Sequence, residues 1–306
     1  MLRDVSPQAA AGSLVLILTE GEKRYLLRIK AGRRLHCHIG VVEHDSLVGQ
    51  RFGTVGHSLT GQPFLLLEPD LHDLMQRVKR ATQIIYAKDA ALITQRLGLR
   101  NGSTVLEAGT GSGALTTALA WTVGPTGKVV TVDGNVEMQQ LAARNLERFG
   151  LLSQVELHHG DLERFELGMA VDAAMLDMRE PWRCLPKVRE CLKPGGRLVC
   201  FVPTTNQVGE LLAHMEEAAC VDIKVEELLL RQYKPVPDRL RPEDRMIAHT
   251  GFIVSAKMIE DPEDPQRWLS PNRLKYKSRQ AAEARYRAKI RARACPGPAA
   301  PETSAD

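Results

Sequence analysis

Apolar residues between residues 11 and 72 fall in short runs broken by glycines. Ser13–Thr19 is rich in β-formers and Tyr25–Lys30 alternates weakly, and Gly21 with Glu22 between them predicts a hairpin turn. Val41–Val42 and Phe64–Leu67 are further short apolar runs, while Gly49, Gly53, Gly56 and Gly61 recur too often for a helix. Residues 1–72 therefore read as a small N-terminal all-β domain, an antiparallel barrel or sandwich.

From residue 73 to 260 the pattern changes period. Strand-like runs at Val105–Ala108, Lys128–Asp133, Val155–His159, Val171–Leu176 and Arg197–Val202 alternate with helical patterns at Leu115–Val123, Val136–Phe149, Trp182–Cys191 and Gln207–Ala218. Such a βαβ rhythm predicts an α/β domain with a parallel sheet covered on both faces. Two late strands, Ile223–Leu230 and Gly251–Met258, are joined by the Pro-rich segment Lys234–Pro242 rather than by a helix, which predicts an antiparallel hairpin at one edge. Residues 261–306 form a third zone. Asp261–Pro265 is a turn or linker, Gln280–Ala294 is helix-prone, and Cys295–Asp306 is Pro/Ala-rich and reads as disordered.

Charge sharpens this division. The net charge is +4, yet Arg273–Arg293 alone holds nine Lys/Arg against one acid, Glu283. With Glu302 and Asp306 subtracted beyond it, residues 1–272 come to about −2. A basic tail on a near-neutral body suits a polyanionic partner; a solvated extension is the alternative. Cys37, Cys184, Cys191, Cys200, Cys220 and Cys295 form no CxxC pair, which points to reduced thiols and a cytoplasmic protein. Neither a signal peptide nor a membrane span is expected. His36-Cys37-His38 has no evident third or fourth ligand, so no metal is expected.

The strongest chemical signal is Val105-Leu106-Glu107-Ala108-Gly109-Thr110-Gly111-Ser112-Gly113: an apolar strand, three glycines at i, i+2 and i+4, then a helix. The spacing differs from the dinucleotide GxGxxG. Glu107, two residues before the first glycine, suits an ammonium and would repel a diphosphate. S-adenosyl-L-methionine carries an ammonium and no phosphate. Asp133 ends the next strand, 26 residues after Glu107, where a carboxylate suits a pair of ribose hydroxyls. Asp161, after the third strand, suits the adenine amino group. Loops at strand carboxyl ends are where open α/β sheets bind ligands. Asp177, in Leu176–Trp182 after the fourth strand, would stand beside the cofactor and accept from an amino group. The plain structural alternatives are an N-cap-region role for Asp133, a turn-capping role for Asp161 and a helix cap for Asp177.

These segments resemble the catalytic subunits of tRNA adenine-N1 methyltransferases, which act on adenine-58 of the T-loop. The resemblance covers about residues 13–258. Arg80–Asp89 is similar to the family's TQxIYPKD, Glu107–Thr116 to VLEAGTGSGxLT, Leu176–Trp182 to LDxPEPW and His249–Phe252 to HTxF; Leu35–Asp45 resembles FHTHxGxIxHD. Ala87 replaces a proline, Arg179 replaces a proline or apolar residue, and Asp133 stands for the usual glutamate. The basic tail has no counterpart. The resemblance implies a seven-stranded Rossmann-like class I methyltransferase fold, tRNA as substrate and a homotetramer. It implies Asp177 as the catalytic residue, holding the exocyclic amine of a flipped adenine, with Tyr86 placed to stack. Gln83, Glu107, Gly109, Thr110, Gly111, Ser112, Gly113, Leu115, Asp133, Asp161 and Asp177 would bind cofactor. Tyr86, Arg179, His249 and Thr250 would meet the substrate. Three rivals are a class I methyltransferase on a small molecule or on protein isoaspartate, a DNA amine methyltransferase, and a non-catalytic tRNA-binding subunit. The first does not need the Arg80–Asp89, Leu176–Trp182 and β-domain features together, the second needs a Pro-Pro that does not follow Asp177, and the third should have a damaged cofactor loop, whereas Glu107, Gly109, Gly111, Gly113 and Asp177 are all intact.

Overall fold

The computed structural model describes residues 7–81, 83–260 and 262–294; Cys295–Asp306 lies outside the described residues. The amino-terminal part contains β1 (Leu14–Thr19), β2 (Arg24–Arg28), β3 (Arg34–Cys37), β4 (Gly40–Glu43), β5 (Thr54–His57) and β6 (Pro63–Leu67). Four of these form an antiparallel sheet in the order β2-β1-β6-β5, and β3 and β4 form a separate hairpin. The Gly21–Glu22 turn is present as a 3-10 turn, Glu20–Glu22. Strands β3 and β5 escape the sequence pattern because each is only four residues long and half exposed. Val15, Ile17, Val42, Phe64 and Leu66 build the small core between them. His38, of the His36-Cys37-His38 run where no metal is expected, hydrogen-bonds the Tyr25 hydroxyl through Nδ1 at 2.7 Å and pairs with Thr19 Oγ1 at 3.3 Å.

Two helices follow, α1 (Leu71–Gln76) and α2 (Ala87–Leu97). Neither is among the helices named from the pattern. The signal for α2 was present: Ala90, Ile93 and Leu97 fall on one face, and Gly98 ends the helix in the left-handed conformation. Helix α1 is short and owes its start to a reciprocal cap between Asp70 and Asp73.

The central sheet then begins. Its elements are β7 (Thr104–Ala108), α3 (Ala114–Val123), β8 (Lys128–Asp133), α4 (Val136–Phe149), β9 (Val155–His159), β10 (Val171–Leu176), α5 (Leu185–Cys191), β11 (Leu192–Val202), α6 (Thr205–Glu217) and β12 (Cys220–Glu226). A two-residue ladder, β13 (Tyr233–Lys234) with β14 (Arg241–Pro242), interrupts the long connection to β15 (Phe252–Met258). The seven-stranded order is β12-β15-β11-β10-β7-β8-β9, with β15 antiparallel to both neighbours. Successive residues of each strand point to opposite faces. Val105, Val129, Met175 and Val199 pack with α1 to α4, whereas Leu106, Val132, Leu176 and Cys200 pack with α5 and α6.

The larger differences from the sequence reading lie at four boundaries. The run Ile223–Leu230 leaves the sheet after Glu226, whose carboxylate is gripped by the Arg96 guanidinium (Nε–Oε2 2.6 Å), so Leu229 and Leu230 end in an exposed connection. Trp182–Cys191 is a 3-10 turn over Pro181–Cys184 followed by α5, because Pro186 in the first turn of α5 has no N–H to bond the preceding turn. Strand β11 starts five residues earlier than Arg197, after a register shift between Val171 and Ala173 that absorbs Pro194-Gly195-Gly196. The carboxyl-terminal helix, α7, spans Pro271–Ala294 rather than beginning at Gln280, with proline at its start.

The N-terminal sheet is tied to this body by Arg28, which donates to the Arg148 carbonyl at 3.1 Å, and by the Arg24–Asp73 ion pair at 3.1 Å. Leu119, in the middle of α3 with no exposure, anchors the helix that follows the glycine loop. Leu119→Ala is expected to destabilise by about 2–5 kcal/mol, and Leu65→Ala, on a face of β6 open to solvent, by under about 1 kcal/mol. Thermal melts of the two variants check the difference.

Candidate active site

The chain leaves β7 at Ala108 and turns through Gly109, Gly111 and Gly113, with φ of 91°, 50° and 79°, into α3. A Cβ on Gly109 would lie 2.0 Å from the Asp177 carbonyl oxygen, so only glycine lets the ends of β7 and β10 meet. A Cβ on Gly111 would meet nothing within 4 Å, which leaves its backbone open to a ligand. Around them the loop is tied down. The Gly111 N–H donates to Asp133 Oδ2 (2.9 Å), Thr110 and Thr131 share a hydroxyl hydrogen bond (2.7 Å), and Thr117 Oγ1 donates to the Gly113 carbonyl (2.7 Å). Asn145 of α4, buried, donates to the carbonyls of Ser112 and Lys79 (both 2.9 Å) and accepts from the Lys79 N–H (3.1 Å). It splices the segment before α2 to the loop. Sequence reading missed Asn145, since an asparagine within an amphipathic helix gives no outward sign. Ser112 Oγ accepts from the Ala81 N–H at 3.3 Å, and Leu115 is buried in the first turn of α3.

Three carboxylates converge here. Glu107 is fully buried; Oε2 accepts from Thr116 Oγ1 at 2.6 Å and Oε1 has no partner. Burial pushes its pKa up to about 8 against the hydroxyls of Thr116 and Thr131, and the charges of Asp177 and Asp133 add to the rise. Asp177 follows β10 directly, its N–H bonded to the Ala108 carbonyl at 2.9 Å. Burial, with the charge of Asp133, raises its carboxyl to about 7. It caps no helix: the 3-10 turn at Pro181 and the start of α5 have no side-chain cap. Asp133 accepts from the N–H groups of Gly111 and Asn135 (2.8 Å), while Asn135 itself caps α4. Asp161 is exposed and accepts from the Glu163 N–H at 3.1 Å, the turn-capping arrangement.

On the opposite side stand the residues after Ala81. Gln83 Nε2 donates to the Tyr86 hydroxyl at 3.3 Å. The Lys88 ammonium, nearly buried, donates to Asp89 Oδ1 (2.8 Å), the Leu228 carbonyl (2.8 Å) and Thr250 Oγ1 (2.6 Å), and Thr250 Oγ1 donates to Asp89 Oδ2 (2.8 Å). Thr250 is thereby built into a buried network that closes the β12–β15 connection onto α2. His249 Nδ1 lies 2.7 Å from Glu227 Oε1 and Nε2 lies 2.9 Å from the Pro203 carbonyl. Both neighbours are acceptors, so the Pro203 carbonyl and Glu227 together raise its pKa and favour the imidazolium. Arg179 is exposed and its carbonyl accepts from Gln207 Nε2 at 2.9 Å. A cavity of about 360 Å³ between Leu162–Ala170 and α5 is lined by none of these residues.

Residues 64–261 match the family described as tRNA methyltransferase complex GCD14 subunit. The tRNA (adenine(57)-N(1)/adenine(58)-N(1))-methyltransferase TrmI of Methanocaldococcus jannaschii is 32% identical, over 81% of this chain and 96% of that protein. Among solved structures, a SAM-dependent O-methyltransferase from Thermotoga maritima shares 36% identity with a TM-score of 0.74, covering 84% of this chain and 97% of that one. The tRNA (m1A58) methyltransferase TrmI from Aquifex aeolicus shares 34% identity with a TM-score of 0.68, covering 83% and 100%.

Removing the Asp89 carboxylate would strand the Lys88 charge inside the protein. Asp89→Ala is expected to destabilise by about 3–5 kcal/mol, and Thr250→Val, which removes one hydroxyl from the same network, by about 1–3 kcal/mol. Urea denaturation of the two variants measures both.

Proposed function

The chain belongs to the GCD14-type tRNA methyltransferase family, and from that premise we propose that it transfers a methyl group from S-adenosylmethionine to N1 of adenine-58 in the tRNA T-loop, giving 1-methyladenosine. The observation that carries this reading is the backbone contact between Gly109 and Asp177, which holds a carboxyl group directly beside the glycine loop.

The residues present fit the cofactor. The unpartnered Oε1 of buried Glu107 is an acceptor waiting for a donor, the space above Gly111 admits a ligand against the backbone, and Asp133 keeps lone pairs for two hydroxyls. Glu107 would face the ammonium, Asp133 the ribose, Asp161 the adenine edge, with Gln83, Thr110, Ser112, Gly113 and Leu115 around them. Bound there, S-adenosylmethionine supplies an activated methyl group for in-line displacement.

The protein's own contribution is positioning and charge. Adenine N1 becomes cationic as it is methylated, and its exocyclic amine becomes more acidic. Asp177, accepting from that amine, orients the base and stabilises the developing positive charge. The target base must leave its stack, at about a few kcal/mol, and Tyr86 offers it an aromatic face. Arg179, exposed two residues after Asp177, would meet the RNA strand. His249 and Thr250 hold the rim through Glu227, Pro203 and Asp89. The connection before them exposes Leu229, Leu230, Tyr233, Val236, Leu240 and Ile247, an apolar surface that supports self-association into the homotetramer. The enzyme would work in the cytoplasm; among the described residues no helix is long and apolar enough to cross a membrane.

A protonated Asp177 can still accept through its carbonyl oxygen, but it carries no negative charge to stabilise the cation that develops on the base. The single-turnover rate is therefore expected to rise with pH, with its inflection at or below about 7, since a neighbouring cation favours the ionised form. Asp177→Asn is expected to lose that limb and about 10²–10⁴ in rate. Nucleoside mass spectrometry of a tRNA transcript reads the 1-methyladenosine formed; an unchanged profile in the variant would overturn the role.

Glu107, with its pKa raised to about 8, is largely protonated at neutral pH in the free protein. A cationic ligand beside it favours ionisation, so cofactor binding is expected to release a proton near pH 7, with affinity rising toward pH 8. Calorimetry in buffers of different ionisation enthalpy measures this release, and Glu107→Gln is expected to abolish it.

A further inference from the structure

Helix α7 lies beyond the residues matched by the family and has an unusual distribution of charge. It runs 24 residues, about 36 Å at 1.5 Å per residue. It touches the body at one place. Arg273 and Lys277 both reach Glu216 near the end of α6, Lys277 at 3.1 Å, and they are the two residues of Pro271–Ile290 that are half-buried, the rest being exposed. From Ser278 to Ile290 every residue is exposed.

The remaining charges are sorted by face. With about 100° per residue, Arg273 and Lys277 occupy the anchored side. Lys275, Arg279, Arg285 and Lys289 fall within about 120° of arc centred on the opposite side, with the exposed ring of Tyr286 among them. None of the four has an acidic partner among the described residues, and the single acid of the helix, Glu283, is taken by Arg287. A helix that merely solvates itself interleaves acids and bases at i, i+4. Here four of the cations share one stripe without an acid among them, and the anchor turns that stripe away from the protein.

We propose that α7 is a tRNA-docking arm: its Lys275/Arg279/Arg285/Lys289 stripe, with Tyr286, lies along the phosphate backbone of the substrate, and Glu216 sets the direction in which the arm leaves the body. The inference rests on tRNA being the substrate. Phosphates suit four cations at one- and two-turn spacing over an extended rod, and an aromatic ring among them adds a stacking face. The arm contributes affinity and orientation, with no part in the chemistry at Asp177.

The test uses the full chain and an unmodified tRNA transcript, with dissociation constants measured by fluorescence anisotropy across a salt series. Neutralising the stripe in the variant K275Q/R279Q/R285Q/K289Q is expected to weaken binding at least tenfold and to reduce the log–log salt slope by about 3. Cofactor affinity and the thermal melt should not change, because all four side chains are exposed. Glu216→Gln removes a negative charge and keeps every positive one. General electrostatic attraction would then leave binding equal or tighter, whereas an arm with a fixed direction predicts weaker binding and a higher KM at unchanged kcat. Wild-type affinity and slope in the four-site variant would overturn the arm, as would tighter binding by Glu216→Gln. So would a stripe-dependent preference for anionic phosphatidylserine vesicles over tRNA. If the wild-type chain binds tRNA through the stripe yet forms no methylated nucleoside, the substrate assignment fails while the arm stands.

Discussion

The site depends on a crowding of negative charge that the sheet enforces. Glu107, Asp133 and Asp177 stand at or near the carboxyl ends of three strands, β7, β8 and β10, that are direct neighbours in the order β10-β7-β8. Parallel register sets them side by side, and the missing Cβ of Gly109 lets the Asp177 backbone close the last gap. No basic side chain among the described residues pairs with any of the three. Burial and mutual repulsion therefore raise Glu107 and Asp177 toward neutrality. Such a cluster favours a ligand that carries positive charge and disfavours a phosphate. In the proposed reaction the same electrostatics would favour the cationic cofactor and would let Asp177 accept from a base that becomes cationic as it reacts.

Around this cluster the protein spends its buried hydrogen bonds on joining segments distant in sequence. Asn145 ties Lys79 to the glycine loop, and the Lys88–Asp89–Thr250 network ties the start of α2 to the end of the β12–β15 connection. His249 adds a third tie, from Glu227 to Pro203, at the carboxyl end of β11. A buried ion pair is weak evidence for net stability, because desolvation offsets much of the attraction. Its value here is geometric. The segment carrying Tyr86 and the segment carrying His249 are tied to each other and to the sheet, which would fix the walls of the proposed base pocket before a base arrives.

Work is divided along the chain accordingly. The central sheet holds the chemistry, the small β-sheet domain is joined to it by Arg24 and Arg28, and α7 extends outward as a charged rod. A near-neutral body with a basic extension places electrostatic attraction where it does not disturb the acidic site. Phosphates drawn to the carboxylates themselves would be repelled.

The central sheet was legible in the sequence because its strands are buried on both faces. Lys128–Asp133 and Val171–Leu176 are short, mostly apolar runs, while Val155–His159 is a mixed edge strand, and the bounds of all three coincide with the observed ones. The glycine spacing was legible for a similar reason, since positive φ at 109, 111 and 113 excludes most other residues. Periodicity could not tell that Leu228–Leu230 leaves the sheet, because an exposed apolar run and a strand look alike, and the Arg96 contact at Glu226, the last paired residue of β12, is not visible in the pattern. It could not find Asn145, or tell that Thr250 serves Asp89, because those partners lie 66 and 161 residues away. Nor could it show that Asp161 spends a carboxylate oxygen on a turn while Asp177 caps nothing. Local residue chemistry sets which loops can bind a ligand. Which side chains stay available for it is decided by tertiary packing, because every buried polar group must find a partner and the sequence does not say where that partner is.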